Sequence, residues 1–289
     1  MDADHTVDAI LLRLQKVELE ILDVIAELCK REGISWFLDS GSALGALRHR
    51  GFIPWDDDID IGMLRPDYDR FLELAPSLLP DGFSLHTPRN TKNYAAQFAK
   101  VCKDNTRFIT QEALDANCIM GIYIDVFPFD YLTSEEPLRT KQIRRARLNV
   151  RLSYLYHSRH IRVPHKGFLG ALESAACFIG HYVLKVFCSP NRFIEGFEHA
   201  ASLGLQCKQK SSECICHGYS KLVTYPIDVF IPISLGEFEG RKLPIPGNVG
   251  KYLSMTYGDW KELPSEADRK THMPLKVIFD TDVEPEGAH

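Results

Sequence analysis

The chain has no run of some eighteen uninterrupted apolar residues, so a membrane-spanning helix is not expected from it. Its first residues, MDADHTVDA, are acidic and lack the apolar core of a secretion signal. Excess positive charge is missing too. The formal net charge is −5 and the pI is near 6.1, which argues against a general nucleic-acid binder. Zinc-type spacing is also lacking, because Cys207, Cys214, Cys216 and His217 do not form ligand pairs with two-residue spacers. Without a secretion signal a disulfide framework is not expected, and the eight cysteines fit a reducing cytoplasm. Repeats and low-complexity segments are absent. What remains is an ordinary globular composition, 45% hydrophobic and 25% charged over 289 residues. That length suffices for one large domain or one domain carrying an insertion.

Against this plain background one segment stands out, residues 37–63, FLDSGSALGALRHRGFIPWDDDIDIGM. Asp58-Ile59-Asp60-Ile61 alternates carboxylate and aliphatic, the period of a half-buried strand, so Asp58 and Asp60 are expected to share a face. By the same parity Asp56 joins them, while Asp57 points away. Neighbouring carboxylates repel unless protons or a cation neutralise them. A hard divalent ion with oxygen ligands answers that need, and Mg²⁺ commonly uses one or two carboxylates plus substrate phosphates. Upstream, Gly41 and Ser42 open a helix whose free N–H groups suit a phosphate. Arg48 and Arg50 lie between that turn and the acids, placed to hold phosphate oxygens, with Lys100 and Lys103 as weaker candidates. An acidic surface loop is the plain alternative, opposed by the interleaved Ile59 and Ile61 and the flanking Trp55 and Met63.

The string GSALGALRHRGFIPWDDDIDIGM resembles the LicD family of phosphocholine transferases, relatives of the fukutin proteins within the nucleotidyltransferase superfamily. Residues 121–130, GIYIDVFPFD, are similar to that family's second acidic strand, and residues 257–272, YGDWKELPSEADRKTH, to its closing segment. The resemblance implies transfer of phosphocholine from CDP-choline to a hydroxyl of a cell-surface glycan, of teichoic acid or lipopolysaccharide type, with Mg²⁺ or Mn²⁺. It also implies a third carboxylate on a neighbouring strand, for which Asp125 is the candidate. Asp125 then either completes the metal site or accepts the proton of the attacking hydroxyl. Transfer of another CDP-alcohol phosphate such as ribitol phosphate, nucleotidyl transfer from a nucleoside triphosphate, and a non-catalytic nucleotide-binding module stay open. A choline donor also needs aromatic faces for its quaternary ammonium. Trp55, Tyr94, Tyr123 and Phe127 lie near the motifs without marking a cage.

The expected fold is α+β, a mixed sheet packed by helices, with a nucleotidyltransferase-like core over residues 1–132. A basic helical insertion is expected over 133–218, a segment returning to the core over 219–279, and a disordered tail over 280–289. Between 138 and 166 the chain carries Arg139, Lys141, Arg144, Arg145, Arg147, Arg151, Arg159, Arg162 and Lys166 and no acid. A mostly apolar stretch, residues 168–188, follows, broken by Glu173, His181 and Lys185. Two readings stand: a helical subdomain with its basic side in water, or a face for a membrane surface or polyanion. On the second, the enzyme is cytoplasmic and peripheral at the inner face of the membrane.

Overall fold

The computed structural model describes residues 2–159, 161, 163, 165–207, 212–265, 269 and 273–282. The expected tail from 280 onward lies largely outside these residues, as does part of the closing segment 257–272. Helix α1 spans Asp2–Glu32, and Gly33 beyond it adopts φ +62°, a left-handed value that glycine takes without a Cβ penalty. Leu14, Ile21, Leu22, Ile25 and Leu28 of α1 are buried, the spacing of one helical face turned to a core.

The core is a seven-stranded mixed sheet. Strands β1 (Phe37–Leu38), β2 (Asp60–Leu64), β6 (Tyr123–Tyr131), β4 (Ala99–Lys103) and β3 (Phe83–His86) lie in that spatial order. β2 and β6 are parallel and the other pairs antiparallel. Between β1 and β2 runs helix α2 (Ser40–Arg48), and α3 (Arg65–Leu78) follows β2 with Pro66 in its first turn. A separate pair joins β5 (Arg107–Ile109) to β11 (Lys276–Ile278), with the short helix α4 (Gln111–Ala116) beside it. The α+β expectation therefore holds.

Three features differ from the sequence reading. A proline is expected from sequence to close a strand, yet β6 passes Pro128 and continues to Tyr131. Its edge toward β4 is paired only as far as Val126, and pairing with β7 (Glu213–Cys216) begins at Phe129. Pro128 falls in the gap, where its missing N–H costs no ladder bond on that edge. Second, β7 and β8 (Thr224–Pro226) extend the central sheet, so the segment 133–218 is not wholly a helical insertion. It supplies α5 (Leu138–His157), α6 (Gly167–Phe187), α7 (Pro190–Ala201) and α8 (Leu203–Gln206) and then returns as a strand. Third, α6 is one continuous helix of 21 residues, long and apolar enough by length and composition to cross a membrane. The polar breaks at Glu173, His181 and Lys185 do not interrupt it, because none of them is a helix breaker. The chain closes with the hairpin β9 (Ser234–Phe238) and β10 (Arg241–Ile245) and helix α9 (Val249–Tyr257).

Candidate active site

The site forms where β2 and β6 run side by side. Their parallel register sets Asp60 opposite Asp125, so two carboxylates leave the sheet at the same level. A cavity of about 540 Å³ opens over them, lined also by Asp57, Asp58 and Glu18. Tyr123, Phe127 and Tyr219 form its aromatic side, and Thr110, Gln111 and Glu112 of α4 its rim. A second cavity of about 320 Å³ adjoins it, lined by Tyr94, Lys100, Met120 and Tyr154. Phe98, Phe108, Tyr123 and Asp125 border both, so Asp125 stands on the partition between an acidic chamber and an aromatic one.

The electrostatics follow from burial among like charges. Burial first, then Asp58 and Asp125, hold the Asp60 carboxyl well above the usual carboxylate range. Asp56 is pushed up to about 8 by burial and by Asp58 and Asp57. Glu18 is raised well above its ordinary value by burial and by the same aspartates, and its Oε2 is buried without a hydrogen-bond partner. Asp125 is also raised, by burial, although the Lys100 ammonium pairs with it directly and pulls the other way. Lys100 reaches it from β4, where the two residues are register partners, and its Nζ also lies 3.4 Å from the Tyr123 ring centroid. Perturbed acids gathered round one cavity make it the candidate site of this fold.

These acids fit a divalent ion chemically. The donors are all hard oxygens, and their mutual repulsion is relieved by adding positive charge. Among the described residues no three such side chains already converge as a ready-made metal site. The carboxylates frame a chamber that a metal and a phosphate would complete together.

The structure brings together Asp58, Asp60 and Asp125, and it places the other sequence candidates elsewhere. Asp56 and Asp57 exchange roles relative to expectation. Asp57 lines the chamber, while the Asp56 carboxylate lies against Gly41 and hydrogen-bonds Asp58. The cause is local: residues 56–59 precede β2, so strand parity does not govern them. Gly41 and Ser42 do not line the chamber. Gly41 admits Asp56 so closely that a Cβ there would meet its Oδ2 at 2.8 Å, and the Ser42 hydroxyl accepts the Asp60 amide at 2.9 Å. The start of α2 is met by the buried Asp39 carboxylate, which accepts from Ser40 N at 2.8 Å and from Tyr219 Oη at 2.6 Å. These residues position β2 rather than present amides to the chamber. Arg48 donates to the Trp260 carbonyl at 3.0 Å and lies outside both cavities. Lys100, ranked behind Arg48 in the sequence, takes the place beside the acids.

Of the four aromatic candidates, Tyr94 and Tyr123 line the smaller cavity and Phe127 the larger. The Trp55 ring instead stacks beneath Arg269, 4.4 Å from its guanidinium carbon. Cys214 and Cys216 are buried on β7, where burial raises their thiols, and Cys207 donates to Thr133 Oγ1 at 3.2 Å. Glu18 is the residue the sequence reading missed. Its signal was present: it follows Leu14 by four residues and precedes Ile21 by three, an acid inside the buried stripe of α1.

Residues 33–163 match the family described as LicD/FKTN/FKRP, nucleotidyltransferase domain. Lipopolysaccharide cholinephosphotransferase LicD of Haemophilus influenzae is 28% identical over 263 residues, 89% of this chain and 94% of that protein. Ribitol-5-phosphate transferase FKTN of Mus musculus is 39% identical over 72 residues, 25% of this chain and 15% of that protein.

Proposed function

Because residues 33–163 make up a LicD-family nucleotidyltransferase domain, we propose that the chain is a transferase that moves an alcohol phosphate from a CDP-alcohol to a glycan hydroxyl. CDP-choline is the donor we favour, since the relative that spans nearly the whole chain is a cholinephosphotransferase. The observation that carries the reading is the pairing of Asp60 with Asp125 at one level of the sheet, on the floor of a cavity.

In this reading the diphosphate of the donor lies in the acidic chamber. Asp58 and Asp60, with Asp57 beside them, would hold a Mg²⁺ ion, which when bound would neutralise charge on the diphosphate. Asp125, whose carboxyl is raised by burial, accepts the proton of the attacking hydroxyl. The hydroxyl oxygen bonds to the phosphorus bearing the alcohol, the bond from that phosphorus to the bridging oxygen breaks, and CMP leaves with the electron pair. Lys100 holds Asp125 in place and offers a cation to the transferred phosphate. The aromatic chamber across Asp125 receives the apolar or cationic head of the alcohol, for which Tyr94 and Tyr123 provide ring faces.

Calorimetry with Mg²⁺ against CDP-choline, CDP-ribitol, CTP and ATP tests the donor. Binding of a CDP-alcohol in preference to the triphosphates, with CMP as the nucleotide product, is the expected result. Binding of ATP or CTP with no response to either CDP-alcohol overturns it in favour of nucleotidyl transfer.

A further inference from the structure

Helix α6 turns its apolar surface outward. Of its 21 residues only Gly170 and His181 are buried, while Phe168 is 88% exposed, Val186 74% and Ile179 63%. Leu172, Phe178 and Phe187 are exposed with them. A helix of a water-surrounded domain turns such residues toward the core, so an outward face of this size marks a contact with something apolar. What holds α6 to the body is a narrow seat near its C-terminal end. Leu155 packs on Gly180, His181 Nδ1 lies 2.8 Å from the Leu155 carbonyl, and Lys185 Nζ sits 5.0 Å from the Tyr156 ring centroid.

The seat continues a line of positive charge. Lys141, Arg144, Leu148, Arg151 and Leu155 follow one another at helical spacing along a single stripe of α5. Lys141, Arg144, Arg145 and Arg151 are exposed, and α5 contains no acid. The apolar helix is thus mounted at the end of a basic ridge, on a molecule whose net charge is −5. Apolar surface beside concentrated cations is the chemistry complementary to an anionic bilayer.

We propose that α6 lies in the interface of an anionic lipid bilayer, its apolar face in the acyl boundary and the α5 ridge on the head groups. Length alone would permit crossing, since 21 residues at 1.5 Å each span about 31 Å. The connections oppose it. The C-terminal end of α6 is tied to the body where Tyr156 meets both Lys185 and Phe193 of α7. A crossing helix would force the link from α5 to α6, with the charged Arg159 and Lys166, back through the hydrocarbon, where such charge is costly. Tyr154, one residue before Leu155, lines the aromatic cavity bordering Asp125, so a docked α6 sets that cavity close above the head groups. Resting on the transferase reading, this assigns the acceptor hydroxyl to a lipid-borne glycan.

Sedimentation with phosphatidylglycerol–phosphatidylcholine vesicles and with phosphatidylcholine alone, each at two salt concentrations, tests the docking without any activity readout. Wild-type protein is expected to bind the anionic vesicles and to weaken as salt rises. Combined Arg144→Gln, Arg145→Gln and Arg151→Gln should weaken that binding about 100-fold, about fivefold for each cation lost. Ile179→Glu with Val186→Glu should abolish it at unchanged circular dichroism, and Phe168→Ser gives a milder second variant at the opposite end of the helix. Failure of the wild type to bind either vesicle overturns docking, as does full binding by Ile179→Glu with Val186→Glu. A concentration-dependent dimer that Ile179→Glu dissolves, with no vesicle binding, would assign the face to a second copy instead.

Discussion

Strand β6 carries two buried aspartates whose surroundings are opposite. Asp130, wholly buried near its C-terminal end, faces Arg65 Nε at 2.6 Å, and Arg65 is itself 2% exposed and also reaches Asp69 and Glu198. Asp125, five residues earlier and therefore on the other face by strand parity, borders a cavity where Asp57, Asp58, Asp60 and Glu18 crowd together. Lys100 pairs with Asp125 at its edge. The first cluster answers charge with charge inside the protein. The second keeps an excess of negative charge and a cavity beside it. Buried charge packed against an opposite charge does structural duty, whereas like charges crowded round a chamber favour a cationic ligand there.

The sharpest break of this comparison is at Arg65. Arg65→Ala leaves Asp130 buried without its cation and should cost about 3–5 kcal/mol, read by urea unfolding. Arg65→Leu combined with Asp130→Leu should recover much of that loss, because no buried charge remains. A loss as large in the double variant would mean the pair acts through packing and not through charge.

Asp60→Asn makes the contrasting prediction. Turnover should fall by about two orders of magnitude or more, while the fold survives. Removing one of several repelling carboxylates should leave the metal-free protein at pH 8 as stable as wild type or more so. An unfolded Asp60→Asn would move Asp60 into the same class as Asp130.

The smallest effect concerns pH. Asp56 titrates near 3.8 when unconstrained and at about 8 in the fold, so between those values the native state holds the extra proton. Stability of the metal-free protein therefore falls as pH rises from about 5 to 8. Glu18, raised by the same neighbours, adds to the slope. Glu18→Gln should flatten it and raise the melting temperature at pH 8 by a few degrees, about 2–4 °C per kcal/mol for a chain near this size. Millimolar Mg²⁺ should flatten the wild-type slope as well. A slope unchanged by Glu18→Gln and by Mg²⁺ alike would remove the link between acid crowding and stability.

Much of this protein was determined by sequence over short range. Helix α3 carries Pro66 in its first turn and α1 gives way at Gly33, both as local backbone preference dictates. Such features depend on neighbours a few residues away, which propensity and spacing report directly. Asp60 and Asp125 were legible as candidates because strand alternation is local, and Asp58 because it stands two residues before Asp60. Which groups share the chamber was decided by tertiary structure alone. Parallel register set Asp60 beside Asp125, antiparallel register brought Lys100 to Asp125, and packing of α1 swung Glu18 into the same space. The turn before β2 put Asp57 on the wall and Asp56 behind it, and the Trp260 carbonyl took Arg48 away. Those outcomes depend on how segments tens to hundreds of residues apart align, and no local period carries that information.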